Sequence, residues 1–198
     1  TFLIAGHETT SGLLSFACYF LVKNPDIFQK ARIEVDRVFG PDRDRLPEFA
    51  DVLALKYMTQ ILKESLRLWP TAPGFSRSPK EPTLIAGKYP IKPGERVLIA
   101  LLSLHRDPKV WGENSDDFDP ERFSPEASRS RPERAFRPFG TGVRACIGQN
   151  FAMIEAALAL GLLIRDFDFE DYESYELKVM ETLTLKPGGF RIKVLPRA

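Results

Sequence analysis

The hydrophobic positions along this chain predict helices at both ends and a more irregular middle. Residues 1 to about 23 form a long apolar run, which predicts a helix that ends at Lys23-Asn24-Pro25. Apolar residues recur at helical spacing over Asp26–Phe39, and similar patterns predict a short helix over Pro47–Leu53 and a longer one over Lys56–Leu68. The first third of the chain is therefore expected to be helical.

Short strands are predicted in the middle of the chain. Alternating and β-branched residues indicate strands at Thr83-Leu84, Tyr89-Pro90-Ile91 and Arg96–Leu101, separated by turns that contain glycine. Residues 105–138, which are rich in proline and charge, are predicted to form loops.

The last third returns to regular structure. A run rich in Ala and Leu predicts a second long helix, from Cys146 or Ile147 to Ile164. Period-two stretches within Glu176–Val194 predict a hairpin around Lys186-Pro187-Gly188-Gly189. Together the patterns predict a fold that is mainly α-helical with small β-sheets.

Composition narrows the class of protein. The 198 residues are 43% hydrophobic, and 28 basic residues nearly balance 27 acidic ones. The sequence contains no basic stripe interleaved with aromatic residues, which makes nucleic acid a poor candidate for a partner. The two cysteines, Cys18 and Cys146, lie far apart, which indicates neither a disulfide framework nor a zinc site. Cys18 is expected to pack in the core, and the longest apolar run, Leu13–Val22, is too short to span a bilayer.

The N-terminal residues suggest a longer protein. Residues 1–4 enter the helical pattern with no methionine and no clear cap. We therefore expect residues 1–198 to be the C-terminal portion of a single domain, with the N-terminal half lying upstream. No secretory signal is visible, but its absence says little in a sequence that enters mid-pattern. A cytoplasmic protein is expected.

One glycine-rich loop contains the most informative chemistry. Its sequence is Phe139-Gly140-Thr141-Gly142-Val143-Arg144-Ala145-Cys146-Ile147-Gly148. The glycines allow the backbone to approach a flat partner, Phe139 can limit water near the sulfur, and backbone N–H groups at a helix start can favour a thiolate at Cys146. Arg144 is placed to meet an anion beside a metal. Taken alone, the loop also fits a turn around a small buried cysteine.

A polar run interrupts the first helix, at Ala5-Gly6-His7-Glu8-Thr9-Thr10. Gly6 costs about 0.5–1 kcal/mol relative to alanine in a helix, and burial of Glu8 would cost more unless it is paired. A notch of small residues can admit a diatomic molecule, while Thr9 and Glu8 offer a hydroxyl and a carboxyl for proton transfer. Thr9 can also bond to the Ala5 carbonyl and open the helix locally. The alternative is a solvated polar face.

The cysteine loop resembles the haem-thiolate signature of cytochromes P450, Phe-x-x-Gly-x-Arg-x-Cys-x-Gly, at every position. The resemblance covers the whole chain and is nearest to bacterial self-sufficient fatty-acid hydroxylases, in which a haem domain is fused to a flavin reductase. It implies that Cys146 is the axial ligand of haem iron and Arg144 a partner of a haem propionate. Phe139, Gly140 and Gly148 are implied to complete the cofactor site.

The run from residue 5 to residue 10 is similar to the oxygen-binding motif of the long central P450 helix. The resemblance implies that Ala5 and Gly6 border the cofactor, that Thr9 stabilises the oxygen intermediate and that Glu8 supplies protons to it. His7 is expected to pack in the helix or face a channel rather than bind a metal.

Three charged residues match a structural motif of the same family. Glu64 and Arg67 resemble its Glu-x-x-Arg pair, and Arg122 resembles the arginine of a later segment. The implied triad is expected to pin the cysteine loop against the core and to retain haem rather than to take part in catalysis. If it is buried, breaking it typically costs about 3–5 kcal/mol.

A stiff, apolar segment from Trp69 to Phe75 is expected to line a cavity. By resemblance, Ala72 and Gly74 lie over the haem near the substrate, and Leu183 reaches in from the other side. His105 is expected to be structural.

The expected function is that of a haem-thiolate monooxygenase, in which one oxygen atom of O₂ enters a C–H bond of a hydrophobic substrate. By analogy the substrate is a fatty acid, the cofactor is haem b, and electrons come from NADPH through FAD and FMN of a flavin reductase, fused or separate. A peroxide-driven or rearranging P450, a haem-binding sensor or carrier, and a non-catalytic haem-binding fragment are the alternatives.

Overall fold

Helices dominate the computed structural model, which describes residues 2–197 of the chain. The predicted long helices are confirmed within a few residues of their expected ends, and Thr1, where the first was expected to begin, lies outside the described residues. In chain order the helices are α1 (Phe2–Lys23), α2 (Pro25–Phe39), α3 (Phe49–Ala54), α4 (Lys56–Leu68), α5 (Leu101–Leu104), α6 (Pro108–Trp111), α7 (Pro125–Ser130) and α8 (Gln149–Asp166).

The core lies where α1, α2, α4 and α8 pack together. Each helix contributes fully buried apolar side chains, among them Leu21 of α1, Val35 of α2, Ile61 of α4 and Leu160 of α8. Gly161 permits the close approach of α8, because a Cβ at this position would lie 3.1 Å from Cε2 of Phe39. Cys18 is buried in this core as predicted, and burial raises the pKa of its thiol to about 12.

The strands form small antiparallel sheets of two strands each in the described part of the chain. Two of the pairs join strands that are consecutive in the sequence, and each of the other two pairs encloses one of these hairpins. The pairs are β1 (Gly74–Arg77) with β4 (Val97–Ala100), β2 (Thr83–Ile85) with β3 (Tyr89–Ile91), β5 (Phe167–Asp171) with β8 (Ile192–Pro196), and β6 (Val179–Glu181) with β7 (Leu185–Pro187).

Two local predictions are wrong. The C-terminal hairpin turns at residues 182–184, not at 186–189, because β7 already occupies Leu185–Pro187. Residues 105–138 contain α6, α7 and a 3₁₀ turn at Pro120–Phe123 besides loops, each preceded by an aspartate or serine side chain that accepts a backbone hydrogen bond. The second long helix is confirmed, and it begins at Gln149, two to three residues after the expected start at Cys146 or Ile147.

Among the described residues, no helix combines the length and apolar character that crossing a membrane requires.

Candidate functional site

The cysteine loop forms a tight backbone turn ahead of α8. The N–H of Cys146 donates to the carbonyl oxygen of Phe139 at 2.8 Å, which closes the loop. Gly140 and Gly142 have φ values of +75° and +66°, in the left-handed region where glycine carries little strain. The positions of these glycines therefore follow from the turn itself. The turn leaves the Cys146 thiol exposed and free of any disulfide.

Apolar side chains flank the exposed thiol in the chain. Val143 and Ile147 are 103% and 91% exposed, and Phe151, on the first turn of α8, is 72% exposed. Arg144, which lies between them in the sequence, is also exposed. Such a surface fits a flat, mostly apolar group that carries an anion at its edge. Haem, with its propionates, has this chemistry, so these residues fit the cofactor that the sequence predicts.

The polar run of α1 keeps a small, open surface. Thr9 donates its hydroxyl hydrogen to the carbonyl oxygen of Ala5 at 2.6 Å, as predicted. The helix remains α-helical throughout Phe2–Lys23. A Cβ at Gly6 would meet no atom within 4 Å, and both Ala5 and His7 are exposed. The notch therefore faces open space.

Glu8 has an ionic partner that the sequence does not indicate. Its Oε1 accepts a hydrogen bond from Nζ of Lys186 at 3.1 Å, and the two residues are 178 positions apart. In the sequence, Lys186 shows only the alternation of a strand, between the buried residues Leu185 and Pro187. No sequence signal could have paired it with α1.

The predicted pair on α4 is present and completely buried. The guanidinium of Arg67 donates to both carboxylate oxygens of Glu64, from Nε at 2.7 Å and from Nη2 at 2.8 Å, and both side chains are 0% exposed. Burial raises the pKa of the Glu64 carboxyl, and the hydrogen bonds from Arg67 oppose that rise. Arg122 completes the triad, with its Nε 3.6 Å from Oε1 of Glu64.

The triad holds the segment from residue 105 to residue 122 rather than the cysteine loop directly. Arg67 donates to the carbonyl oxygens of His105, Ser115 and Asp117 at 2.6–3.0 Å, and Glu64 accepts from the backbone N–H of Asp119 at 2.9 Å. These bonds span 38 to 55 residues of sequence. The expectation that the triad itself grips the cysteine loop is therefore corrected.

His105 connects this network to the cysteine loop. Its ring is buried, and Nε2 accepts a hydrogen bond from the backbone N–H of Arg137 at 3.1 Å, two residues before Phe139. Burial lowers the pKa of His105 to about 4. A neutral ring at neutral pH can accept this bond, which agrees with the structural role expected for His105.

The proposed pocket residues lie on two segments that hydrogen-bond to each other. Leu183 is 70% exposed on the turn between β6 and β7, and the N–H of Leu185 donates to the carbonyl oxygen of Thr71 at 2.9 Å, next to the exposed Ala72. A Cβ at Gly74 would lie 2.7 Å from the Ile99 carbonyl oxygen. The close pairing of β1 with β4 therefore requires glycine at position 74, whether or not this residue lies beside a substrate.

The helical fold and the exposed cysteine beside an apolar surface fit a protein of the haem-thiolate class. Comparison with known proteins agrees. A family model described as Cytochrome P450 matches residues 1–194, so the chain belongs to the cytochrome P450 family. The cofactor of this family is haem, and its members are oxidoreductases.

Individual relatives show a more particular likeness. The chain is 58% identical over 198 residues to a bifunctional cytochrome P450/NADPH–P450 reductase of Bacillus cereus, and 54% identical over 197 residues to one of Bacillus subtilis. It is 48% identical over 198 residues to a self-sufficient cytochrome P450 monooxygenase of Aspergillus niger. Each match covers 100% of this chain but only 18% or 19% of the relative.

Proposed function

We propose that the protein containing this chain is a haem-thiolate monooxygenase. The overall reaction is RH + O₂ + NADPH + H⁺ → ROH + H₂O + NADP⁺, in which one oxygen atom enters a C–H bond and the other leaves as water. The observation that carries the proposal is the exposed Cys146 thiol in a glycine turn flanked by exposed apolar side chains. The named P450–reductase relatives support the supply of electrons from NADPH.

In this proposal Cys146 is the protein ligand of haem b, and its neighbours hold the macrocycle. When bound, a thiolate-ligated haem supplies oxygen activation, because the sulfur donates electron density that favours O–O cleavage. Val143 and Ile147 would exclude water from the sulfur, and Arg144 would pair with a propionate. Gly140 and Gly148 let the backbone stay close to the cofactor, and Phe139 anchors the loop, since it packs against the core.

Thr9 and Glu8 are proposed to transfer protons from solvent to the notch at Gly6. The Thr9 hydroxyl gives its hydrogen to the Ala5 carbonyl, so its oxygen atom is left to accept a hydrogen bond from the open notch beside Gly6. The Glu8 carboxylate is half-buried, so it can take a proton from solvent at Oε1 or Oε2 and pass it toward the notch.

The finer assignments are proposals by likeness to the relatives. The substrate is a fatty acid, with Ala72, Gly74 and Leu183 beside its chain. A flavin reductase with FAD and FMN, fused or separate, delivers the electrons. Residues 1–198 form the C-terminal portion of one haem domain, and the protein is cytoplasmic.

Replacing Thr9 with alanine tests the proton-handling role. In the complete protein, Thr9→Ala is expected to divert electrons into the side reaction O₂ + NADPH + H⁺ → H₂O₂ + NADP⁺, because the hydroxyl that guides protons is gone. The measurement is hydrogen peroxide and hydroxylated product formed per NADPH consumed.

Ser15→Ala is the matched control, since Ser15 makes the same kind of hydrogen bond, to the Ser11 carbonyl at 2.8 Å, on the same helix. Its coupling should equal that of the unmodified protein. If Thr9→Ala also leaves coupling unchanged, Thr9 does not guide protons, and a peroxide-driven or rearranging chemistry becomes the better account.

A further inference from the structure

The ion pair between Glu8 and Lys186 joins the first helix to the C-terminal hairpin. We propose that Lys186 is a positioning residue, which holds the Glu8 carboxylate in the place from which it delivers protons. The inference rests on the proposed function, since it assumes that Glu8 is the proton donor. Nζ of Lys186 lies 3.1 Å from Oε1 of Glu8, although 178 residues separate the two in the chain.

The hairpin can reach Glu8 because a glycine lets it approach α1. A Cβ at Gly12 would lie 3.0 Å from the carbonyl oxygen of Leu185 and 3.1 Å from Cγ2 of Thr71. Alanine at position 12 would require the Leu185 carbonyl and the Thr71 side chain to move by a few tenths of an ångström. Gly12 is therefore the contact point that sets the distance between helix and strand.

Two further contacts fix the position of β7 along the helix. The side chain of Leu185 is buried against Phe16 and Phe20 of α1, and its N–H donates to the Thr71 carbonyl oxygen at 2.9 Å. Glu8 and Gly12 are four residues apart, so they lie on the same face of α1. The strand that touches Gly12 thereby brings Lys186, the residue after Leu185, to the carboxylate one turn earlier.

The charged residues around Glu8 identify Lys186 as its ionic partner. Glu8 is the only carboxylate in α1, and Lys186 is the cation that the structure pairs with it. The side chains of Lys186 and Glu8 are 42% and 26% exposed, and ion pairs this exposed contribute little to stability. Stability alone therefore does not explain this lysine. By restricting the Glu8 carboxylate beside the notch at Gly6, Lys186 would instead affect catalysis.

Replacing the lysine separates these roles. In the complete protein, Lys186→Met should increase hydrogen peroxide released per NADPH by a factor of about two to five, because an exposed pair biases the position of a side chain by no more than that. Lys186→Arg should restore coupling, since it keeps a cation in reach of Glu8. The denaturation midpoint should stay unchanged in both variants.

Lys193→Met is the matched control. Lys193 forms an ion pair of similar geometry with Glu170, at 2.8 Å, on the exposed pair β5 and β8, and its loss should leave coupling unchanged. The second readout is a crystal structure of the complete Lys186→Met protein, in which the Glu8 carboxylate should leave the position it has here. A carboxylate that stays in place, or unchanged peroxide release, overturns the inference.

Glu8→Gln tells a failure of this inference from a failure of the proposed function. If Glu8→Gln causes uncoupling and Lys186→Met does not, only the positioning role is wrong. If Glu8→Gln leaves coupling intact, the proposed role of Glu8 is itself wrong, and the inference falls with it. If both the role of Glu8 and the positioning role of Lys186 are correct, the double variant Glu8→Gln/Lys186→Met should release no more peroxide than Glu8→Gln alone, because Lys186 acts through Glu8.

Discussion

His105 shows how a single buried residue can tie two parts of the site together. Its carbonyl oxygen accepts from Arg67 of the buried triad at 2.8 Å, and its Nε2 accepts from the N–H of Arg137, just before the cysteine loop. One residue therefore transmits the position of α4 to the loop that contains Cys146. The hydrogen bond to Nε2 requires a neutral ring, which makes the link sensitive to acid.

The stability contributed by neutral His105 should disappear in acid. Burial lowers the pKa of His105 to about 4, whereas the unfolded chain has the ordinary value of 6.5, so the unfolded state binds the proton more tightly. The contribution is complete above pH 6.5 and is lost as the pH falls toward 4, by about 3 kcal/mol in total.

Denaturant unfolding of the complete protein at several pH values between 4 and 7 measures this loss. His105→Gln, which keeps an acceptor near Nε2 but does not titrate, should show a correspondingly shallower pH dependence. His7→Gln removes the other histidine, which is exposed, and should change nothing. Equal pH dependence in the unmodified protein and His105→Gln would show that this ring does not titrate as proposed.

The sequence predicts residues of the site unevenly. The cysteine loop and the pair Glu64 and Arg67 follow local spacing, so both could be placed on their elements before the structure was known. The carbonyl partners of Arg67 and the link between Glu8 and Lys186 could not, because they join residues from 38 to 178 positions apart. Local periodicity contains no information about such contacts.

At the scale of elements, α4 depends on a neighbour for its N-terminal cap. Its own flanking residue, Leu55, provides no side-chain hydrogen bond. Instead the buried Glu34 of α2 accepts from the backbone N–H groups of Tyr57 and Met58 at 2.8 and 2.9 Å. A carboxylate at a helix N-terminus also complements the helix dipole. The helix that carries the Glu64–Arg67 pair is thus anchored from outside.

Replacing Glu34 should destabilise the domain. Glu34→Ala leaves two buried N–H donors of α4 without partners, at a cost of about 1–3 kcal/mol for each donor and therefore about 2–6 kcal/mol in total. The free energy of unfolding of the complete protein, measured with denaturant, is expected to decrease by an amount within that total. Glu155→Ala, on the exposed surface of α8, is the control and should change it little. Equal stabilities of the two variants would mean that Glu34 does not cap α4.

The sequence predicts elements whose pattern repeats over several turns, whereas it does not predict the register of the C-terminal hairpin. The long helices match because their apolar positions recur over several turns. The C-terminal turn was misplaced because Pro187-Gly188-Gly189 has a composition typical of turns. In the structure, the N–H of Gly188 instead donates to the Lys178 carbonyl oxygen at 2.6 Å, and burial of Leu185 against α1 selects the register.

At the scale of the whole molecule, the chain combines a well-buried helical core with several strongly exposed apolar side chains. Ile61, Leu62 and Leu160 are 0% exposed, while Val143 and Ile147 beside Cys146 are more than 90% exposed. Exposed apolar side chains in such proximity indicate a binding surface. In the proposed function this surface binds haem, and the bound haem supplies the oxygen chemistry of the complete protein.

The most direct test of this account is the absorption spectrum of the complete haem protein after reduction and exposure to carbon monoxide. The account predicts the spectrum of a thiolate-ligated haem, and its loss in Cys146→Ser while Cys18→Ser retains it. A spectrum of histidine-ligated haem, or a purified protein that binds no haem, would contradict the assignment of Cys146 as the iron ligand.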